Sequence, residues 1–207
     1  VYPTSLKKIE DNKGIENKDI NKLAILSNLI LVNDKYEAKQ FKDINLVSLT
    51  KYLTDDNNPE YLLDENVLKQ LQPMIEKANE LDRHTTYLTS SYRTYEQQKE
   101  LYEKGEKGYV QIPGHSEHET GLAFDLSNSY KDHTKFLKTA QGTLINSVAH
   151  QYGFILRYPN GKKDITGIEY EPWHFRYVGE LHATYIKENN IVLEEYLNIF
   201  ELDKLYE

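Results

Sequence analysis

The sequence predicts an α+β fold, because segments with helical periodicity and segments with strand-like composition alternate along the chain without a regular repeat. Of the 207 residues, 39% are hydrophobic and 28% are charged, which is ordinary for a globular domain and too apolar for a disordered chain. At roughly 150 residues per domain, this length predicts one domain with an extension. The formal net charge of −8 argues against a nucleic-acid partner.

The start of the chain differs in composition from the rest. Residues 1–20 are polar and rich in turn-forming residues, and they predict an N-terminal arm or linker before a single domain over residues 21–207. The first residue is Val1 and no signal peptide is visible, so we expect a trimmed or processed start. No stretch approaches the roughly 18 apolar residues of a membrane span. The chain has no cysteine, which excludes disulfides, thiolate zinc sites and a cysteine nucleophile.

The elements of the first half are predicted from apolar spacing and from turn residues. The apolar run Leu29–Val32 predicts a strand or part of a short helix, and the mixed segment 43–58 predicts a loop. Apolar residues at three- and four-residue spacings predict an amphipathic helix over Leu63–Leu81. A strand over Tyr87–Ser91 and a helix over Thr94–Lys104, with Thr94 as its N-cap, complete this half.

The second half begins with a loop over residues 105–114 and ends with two helices. Residues 134–152 predict a long helix that ends at Gly153, because apolar residues recur at helical spacing and glycine favours the C-terminal cap. The other predicted elements are strands over Leu122–Leu126, Phe154–Arg157 and Tyr170–Tyr177, a turn over Ser127–His133, and helices over Val178–Asn189 and Leu193–Phe200.

The segment Pro113–Asp125 is the first of two that concentrate residues able to carry chemistry. If Leu122–Leu126 is a strand, Asp125 lies on one face with two small residues, because side chains alternate along a strand. This leaves open space beside the carboxylate. His118 lies on the preceding turn, so it can approach the same space.

The segment Tyr170–Tyr177 is the second. His174 follows Glu171 by three positions, with a proline between them, so a turn would place both side chains at one end of a strand. Together with the first segment, this gives two imidazoles and one carboxylate, a zinc ligand set that leaves a fourth position for water. Glu171 is the natural base for the proton of that water.

Each of these residues also has an ordinary explanation. A single His or Asp at a strand end is usually a cap or a surface residue, so each segment alone fits a structural role equally well. His115 is a rival ligand that we expect at the rim, and Glu119 is expected to be a solvated turn residue. The remaining histidines lie in charged or helical settings and are predicted not to be ligands: His84, His133, His150 and His182.

A third feature is the arginine in the segment Thr89–Gln98. Arg93 lies at a predicted strand-to-helix junction, where a guanidinium group can bind a carboxylate through two hydrogen bonds. From this segment alone an ordinary surface ion pair is the simpler explanation. Gln98 would then be a residue of the helix surface.

Taken in order, these segments resemble the zinc D,D- and L,D-carboxypeptidases of the VanY/LdcB type. The resemblance runs from about Leu29 to Leu197 and includes a match of Ser90-Ser-Tyr92-Arg93 to the Ser-x-Tyr-Arg segment of that family. It implies a hedgehog/D,D-peptidase-like fold with a central antiparallel sheet flanked by helices. The two family signatures are complete here, as Ser116-Glu-His118-Glu-Thr-Gly121-Leu-Ala123-Phe-Asp125 and Glu171-Pro-Trp173-His174.

The resemblance also implies a role for each matching residue. His118, Asp125 and His174 would bind Zn²⁺. Glu171 would act as general base and then as general acid, and Arg93 would stabilise the oxyanion or anchor the substrate carboxylate. The implied substrate-binding residues are Ser116 and Gln98, which would contact the terminal D-alanine, and Tyr92, Tyr158 and Trp173, of which the last two would form walls of the pocket.

The function implied by the resemblance is an L,D-carboxypeptidase that removes the terminal D-alanine from peptidoglycan stem tetrapeptides. Three alternatives stay open: a D,D-carboxypeptidase acting on pentapeptides, an L-alanyl-D-glutamate endopeptidase, and a non-catalytic wall-binding module. Because the substrate lies outside the membrane, we expect an exported or cell-surface protein of a Gram-positive bacterium. We further expect a membrane anchor upstream of the arm, a monomer, and no nucleic-acid partner.

Overall fold

The structure is a computed structural model of the chain, and it describes residues 28–38, 44–49, 61–81, 85–105, 110–128 and 132–200. The predicted arm over residues 1–20 lies outside these ranges, so it stays a prediction. Within them, an antiparallel sheet of four strands is flanked by helices, as expected. No helix of the described part is long and apolar enough to span a membrane.

The four-stranded sheet forms the centre of the molecule. Its strands are β3 (Thr86–Ser90), β4 (Ala123–Asn128), β5 (Phe154–Leu156) and β6 (His174–Tyr177). Their order in the sheet is β3-β4-β6-β5, and every neighbouring pair is antiparallel. Phe124 in β4 and Phe175 in β6 are fully buried and stacked, with ring centroids 6.1 Å apart.

The prediction of a loop over residues 43–58 is wrong in part, because this segment contributes a strand to a second, two-stranded sheet. In it, β1 (Leu46–Ser48) pairs antiparallel with β2 (Leu62–Asp64). The local composition is that of a loop, and the strand forms because Leu46 and Val47 find partners across the pair. The rest of the predicted loop, residues 50–60, lies outside the described residues.

The two helices of the first half are confirmed. Helix α1 (Glu65–Asn79) is capped at its N-terminus by Asp64, whose side chain accepts a hydrogen bond from the backbone N–H of Asn66. Helix α2 (Tyr95–Lys104) begins at Thr94 as predicted, with the reciprocal side-chain bonds of a capping box. The apolar face of α1 is fully buried in the hydrophobic core that the helix shares with the sheet, and it consists of Val67, Leu71, Met74, Ile75 and Ala78.

The single helix predicted over residues 134–152 is wrong in one respect, because it is interrupted. Helix α3 (Ala140–Val148) starts at Thr139, whose hydroxyl accepts a hydrogen bond from the Gly142 amide and caps a new helix there. A 3₁₀ turn over His133–Lys138 precedes it, and another over Ala149–Tyr152 follows it. The predicted end at Gly153 is confirmed by its left-handed φ of 83°.

The C-terminal part closes the fold over the other side of the sheet. Helices α5 (Glu180–Glu188) and α6 (Leu193–Ile199) are confirmed, and they bury a second apolar cluster with Ile155 of β5. A short helix α4 (Lys163–Thr166) was not predicted. The strand predicted over Tyr170–Tyr177 is shorter than expected, because residues 172–173 form a turn before β6.

The apolar run Leu29–Val32 is buried and belongs to the core, but it is not a strand. Asn28 and Leu29 are helical, and the following residues are irregular and have no ladder partner. Instead, the carbonyls of Asn28 and Ile30 accept hydrogen bonds from the guanidinium group of Arg176. A buried arginine therefore satisfies backbone groups that a sheet would otherwise have paired.

Candidate active site

The centre of the site is built by the pairing of β4 with β6. Asp125 and His174 are partners in this ladder, and His118 approaches from a 3₁₀ turn over Glu117–Thr120. The Asp125 carboxylate lies 2.9 Å from Nδ1 of His174 and 3.4 Å from Nε2 of His118. One donor atom from each of the three residues fits within 4.8 Å of the others. The structure thus brings the predicted ligand set together.

The hydrogen bonds of His118 decide which of its ring atoms faces the centre. Its Nδ1 lies 2.8 Å from the carbonyl oxygen of Ser91, which only accepts, so Nδ1 carries the proton. The lone pair of Nε2 then faces the carboxylate of Asp125. A lone pair pointed at a carboxylate needs a cation between the two, so this donor set fits a divalent metal ion.

Burial and neighbouring charges move the pKa values of the three residues in different directions. Burial, followed by the charge of Arg93, lowers the pKa of His118 to about 4. Burial alone would lower the pKa of His174 too, but hydrogen bonds to Asp125 and Glu117 outweigh it and raise that pKa to about 9. Burial opposes ionisation of Asp125, yet the two histidines hold its pKa well below the usual range.

Glu171 lies beside this group, close to His174. Its carboxylate is 3.9 Å from Nδ1 of His174, and the residue is only 6% exposed. Burial raises the pKa of Glu171 to about 7, with a further contribution from the charge of Asp125. A carboxyl group that titrates near neutrality can both take up and release a proton at physiological pH.

Arg93 brings a positive charge to the site. Its Nε is buried and has no hydrogen-bond partner in the described part of the chain. Burial lowers the pKa of Arg93, and the charges of Asp125, Glu171 and Glu119 oppose that shift. The guanidinium group therefore keeps hydrogen-bonding capacity for an anion that enters the site.

These groups surround a cavity of about 120 Å³. Of the predicted substrate-binding residues, Ser116, Tyr158 and Trp173 line it. Tyr158 also stacks on His174, with ring centroids 4.9 Å apart. The described residues that line it are Arg93, Leu101, Val110, Gln111, Ser116, Glu117, His118, Asp125, Tyr158, Ile168, Glu171, Trp173 and His174.

Two predicted substrate-binding residues do not line this cavity. Gln98 is fully buried, and its Nε2 donates to the carbonyl of Gln111, so it lies behind the wall. Tyr92 lines a neighbouring cavity of about 370 Å³, together with Glu119 among others. Gln98 is also not the helix-surface residue that the segment alone predicts.

The prediction that Glu119 is a solvated turn residue is wrong. The residue is half-buried, and its carboxylate accepts hydrogen bonds from the amides of Gly114 and Ser116. These bonds hold the turn that carries His118. His115 points elsewhere, because its Nδ1 lies 2.6 Å from the carbonyl oxygen of Asn33.

Two other histidines that we predicted not to be ligands lie outside the group of three. His182 is buried against the Tyr196 hydroxyl, 2.6 Å away, and burial lowers its pKa to about 4. His133 is exposed and contacts the edge of Trp173, with ring centroids 4.6 Å apart. His84 lies outside the described residues.

Sequence reasoning missed the residue between Ser116 and His118. Glu117 is 1% exposed, and its carboxylate binds two fully buried arginines, Arg157 and Arg176. Burial opposes its ionisation, but the two guanidinium groups hold the pKa of Glu117 well below the usual range. The available signal was two arginines placed in otherwise apolar strand segments, where an unpaired charge is costly.

The fold and the site together define an α+β protein of the D,D-peptidase-like class. Two solved structures support this class. The LdcB LD-carboxypeptidase has a TM-score of 0.71 and 35% identity, covering 83% of this chain and 86% of its own. A variant of the vancomycin-resistance D,D-pentapeptidase VanY, in complex with Zn(II), has a TM-score of 0.68 and 32% identity, covering 83% of this chain and 99% of its own.

The sequence comparison then identifies the family. The family model of VanY, described as D-alanyl-D-alanine carboxypeptidase, matches residues 60–180, and the chain belongs to this family. A D-alanyl-D-alanine carboxypeptidase of Enterococcus faecium is 37% identical over 184 residues, which cover 86% of this chain. The chain spans 59% of the length of that enterococcal protein.

Proposed function

We propose that this protein is a zinc-dependent L,D-carboxypeptidase that removes the terminal D-alanine from peptidoglycan stem tetrapeptides. The observation that carries the proposal is the guanidinium group of Arg93, which shares one small cavity with Glu171 and with the His/Asp/His group. A cation, a proton carrier and a metal-ligand set at one position are the parts needed to cleave a bond next to a terminal carboxylate.

The residues present fit a zinc ion. His118 would offer Nε2, Asp125 a carboxylate oxygen and His174 Nδ1, and three protein ligands of this kind leave a catalytic zinc with an open fourth position. Zinc, when bound, supplies Lewis-acid chemistry at this position. Every other step falls to side chains of the chain itself.

Glu171 is the proposed general base and acid. In its ionised form the carboxylate takes a proton from the attacking water, and in its protonated form it gives that proton to the departing amine of D-alanine. A pKa near 7 suits both halves of this cycle, because neither form is then strongly disfavoured at neutral pH.

Arg93 and the cavity walls select the end of the substrate. The guanidinium group would bind the terminal carboxylate through two hydrogen bonds, which favours a carboxypeptidase over an endopeptidase. The Ser116 hydroxyl would hydrogen-bond to the same residue of the substrate. A cavity of about 120 Å³ between Tyr158 and Trp173 accommodates a side chain as small as that of alanine.

The substrate class also carries the proposals on location and partners. Peptidoglycan stem peptides lie outside the cytoplasmic membrane, so we propose an extracellular or cell-surface protein. The relatives that support this are named for D-alanyl-D-alanine substrates or for peptidoglycan recognition. The membrane anchor and the monomeric state stay predictions.

The test is mass spectrometry of purified stem tetrapeptides and pentapeptides after incubation with the zinc-loaded protein. We expect loss of one alanine from the tetrapeptide. The control is Glu171→Gln, which should leave both peptides intact. Loss from the pentapeptide alone would instead identify a D,D-carboxypeptidase, the second candidate, which is favoured by the name of the enterococcal relative.

Two other results would overturn both candidates. Internal cleavage between L-alanine and D-glutamate would identify an endopeptidase. No cleavage of either peptide by protein with confirmed zinc content would identify a non-catalytic module.

A further inference from the structure

A buried cluster of charges lies at Nε2 of His174, whereas Glu171 lies near Nδ1 of the same ring. Its centre is Glu117, which we missed from the sequence. The two oxygens of this carboxylate are used in different directions. Oε1 accepts from Nε of Arg157 at 2.8 Å and from Nη1 of Arg176 at 2.7 Å. Oε2 faces Nε2 of His174 at 3.4 Å.

The two arginines are themselves fixed by the fold. Arg157 donates to both carboxylate oxygens of Glu194 in α6, at 2.9 and 2.6 Å. Arg176 donates to the carbonyls of Asn28, Ile30 and Tyr177, at 3.1, 2.7 and 3.0 Å. Because both guanidinium groups are held this way, the orientation of the Glu117 carboxylate is held as well.

This orientation has a chemical consequence for the imidazole. A carboxylate between two guanidinium groups only accepts hydrogen bonds, so the ring nitrogen that faces it must donate. Nε2 of His174 then carries a proton whether or not a metal is bound. In the metal-free protein Nδ1 also donates, to Asp125, and a metal ion would take the place of this second proton and leave the lone pair of Nδ1 for coordination. That nitrogen is the one 2.9 Å from the carboxylate of Asp125, on the metal-ligand side.

We propose that Glu117 is a positioning residue, which fixes the tautomer and the ring orientation of His174 so that Nδ1 is presented as a ligand atom. The proposal rests on the proposed function only in taking a metal ion as the partner of Nδ1. Residues of this kind typically change metal affinity by about 10- to 100-fold when they are replaced. Arg157 and Arg176 act through Glu117, because they hold its carboxylate.

The variant Glu117→Gln tests this directly, because a carboxamide has one accepting oxygen and one donating NH₂ group. The two arginines attract the oxygen, so the NH₂ group turns toward His174. Nε2 must then accept, and the ring proton moves to Nδ1. We expect this reversal of the tautomer to block the ligand atom and to weaken zinc binding by about 10- to 100-fold.

The experiment measures two quantities on the full chain, neither of them activity. Long-range ¹H–¹⁵N spectra of the zinc-loaded protein report which nitrogen of His174 carries the proton, and competition with a chelator reports the zinc affinity. The matched control is Glu194→Gln, which removes the same charge at the far end of the same cluster. Arg176 and Nε of Arg157 still donate to Glu117 in this variant, so its carboxylate stays in place. We expect Glu194→Gln to lower thermal stability but to keep the tautomer and to leave zinc affinity within about twofold of wild type.

Several outcomes decide the proposal. A wild-type His174 with its proton on Nδ1 in the zinc-loaded protein overturns it, and this measurement needs no variant to fold. An unchanged tautomer and affinity in Glu117→Gln overturns it too, as does an equal loss of affinity in Glu194→Gln, since Glu117 would then act only through stability. If the tautomer is as expected but no D-alanine is released, the proposed function fails and this inference stands. Wild-type protein with no measurable zinc affinity overturns both.

Discussion

Two glutamates lie near different ring nitrogens of His174, and their environments act on them in opposite directions. Glu117 and Glu171 are both buried, at 1% and 6% exposed, and burial alone would raise the pKa of each. On the Glu117 side, two bonded guanidinium groups overcome burial and hold the pKa well below its usual range. Among the described residues no guanidinium group is hydrogen-bonded to Glu171, and its pKa rises to about 7.

Burial by itself therefore does not determine whether a carboxyl group is ionised at neutral pH. The bonded partner decides it. A carboxylate with fixed cationic partners is a permanent acceptor that can orient a neighbour. A carboxyl group that is buried without such a partner exchanges its proton near neutral pH, which is what a general base requires.

The largest expected effect comes from removing the carboxyl group of Glu171. In Glu171→Gln we expect kcat for D-alanine release to fall by about 10² to 10⁴. The other two carboxylates that the structure places beside His174 are already engaged, because Asp125 is a proposed ligand and Glu117 is bound by two arginines. Zinc content should stay at the wild-type level, because Glu171 is not one of the proposed ligands. The measurements are D-alanine release and metal analysis of the same preparation.

A matched control for this variant is Glu169→Gln, two residues earlier on the same segment. Glu169 is half-buried and paired with Lys163, and it does not line the cavity. We expect wild-type turnover from it. Turnover retained in Glu171→Gln itself would reassign the general base.

At Glu117, the same replacement of glutamate by glutamine should lower the stability of the fold. Glu117→Gln leaves two buried guanidinium groups with one neutral acceptor, so we expect the free energy of unfolding of the metal-free protein to fall by about 3 to 5 kcal/mol. Glu171→Gln, the matched comparison, removes a charge that has no bonded guanidinium group and should not destabilise. Denaturant titration of both variants measures this, and equal destabilisation would contradict the comparison.

A smaller effect is expected at Arg93. In Arg93→Lys we expect kcat/KM to fall by about 10- to 100-fold, because lysine lacks the planar pair of donors that matches a carboxylate. The loss should disappear when the substrate carries a C-terminal amide, since the group that Arg93 recognises is then absent. A loss of the same size on both substrates would show that Arg93 acts on the fold and not on the carboxylate.

The smallest effect concerns pH. In the unfolded chain Glu171 loses its proton near the ordinary value of 4.5, whereas the folded protein holds it up to about 7. Between these values the native state binds more protons, so stability falls as the pH rises through this window. In the metal-free protein we expect Glu171→Gln to be more stable than wild type at about pH 6.5 by about 1 to 3 kcal/mol, with the gap closing toward pH 4.5.

Denaturation curves of wild type and Glu171→Gln at several pH values measure this gap. His174 is present in both proteins, and its raised pKa also makes stability fall with rising pH, between about 6.5 and 9. The gap is therefore read below about pH 6.5, where His174 is protonated in the folded and the unfolded chain and its contribution cancels. A gap that does not change with pH would show that burial does not perturb Glu171.

The parts of the fold that depend on neighbours in sequence could be predicted. The apolar face of α1 and the Thr94 cap of α2 are set by residues within one or two helical turns, and both are confirmed. The predicted helix over residues 134–152 failed because Thr139 offers a local hydrogen bond that competes with the helix, and apolar spacing does not register that competition.

The parts that depend on distant residues could not be predicted from spacing. The motifs indicated the ligand set, and the structure brings it together. The cluster at Nε2 of His174 joins Glu117 to arginines that lie 40 and 59 residues further along the chain. Strand β1 has the same origin, because its partner is known only once the chain has folded.

The pairing of β4 with β6 has one further consequence. Asp125 and His174 are 49 residues apart in sequence, and the ladder places them face to face at the centre of the sheet. An ion held between them would tie two strands together as a crosslink does. The chain has no cysteine, so this ion would replace a disulfide as the crosslink between the two strands. Removing the metal would break the crosslink reversibly, without cleavage of a covalent bond.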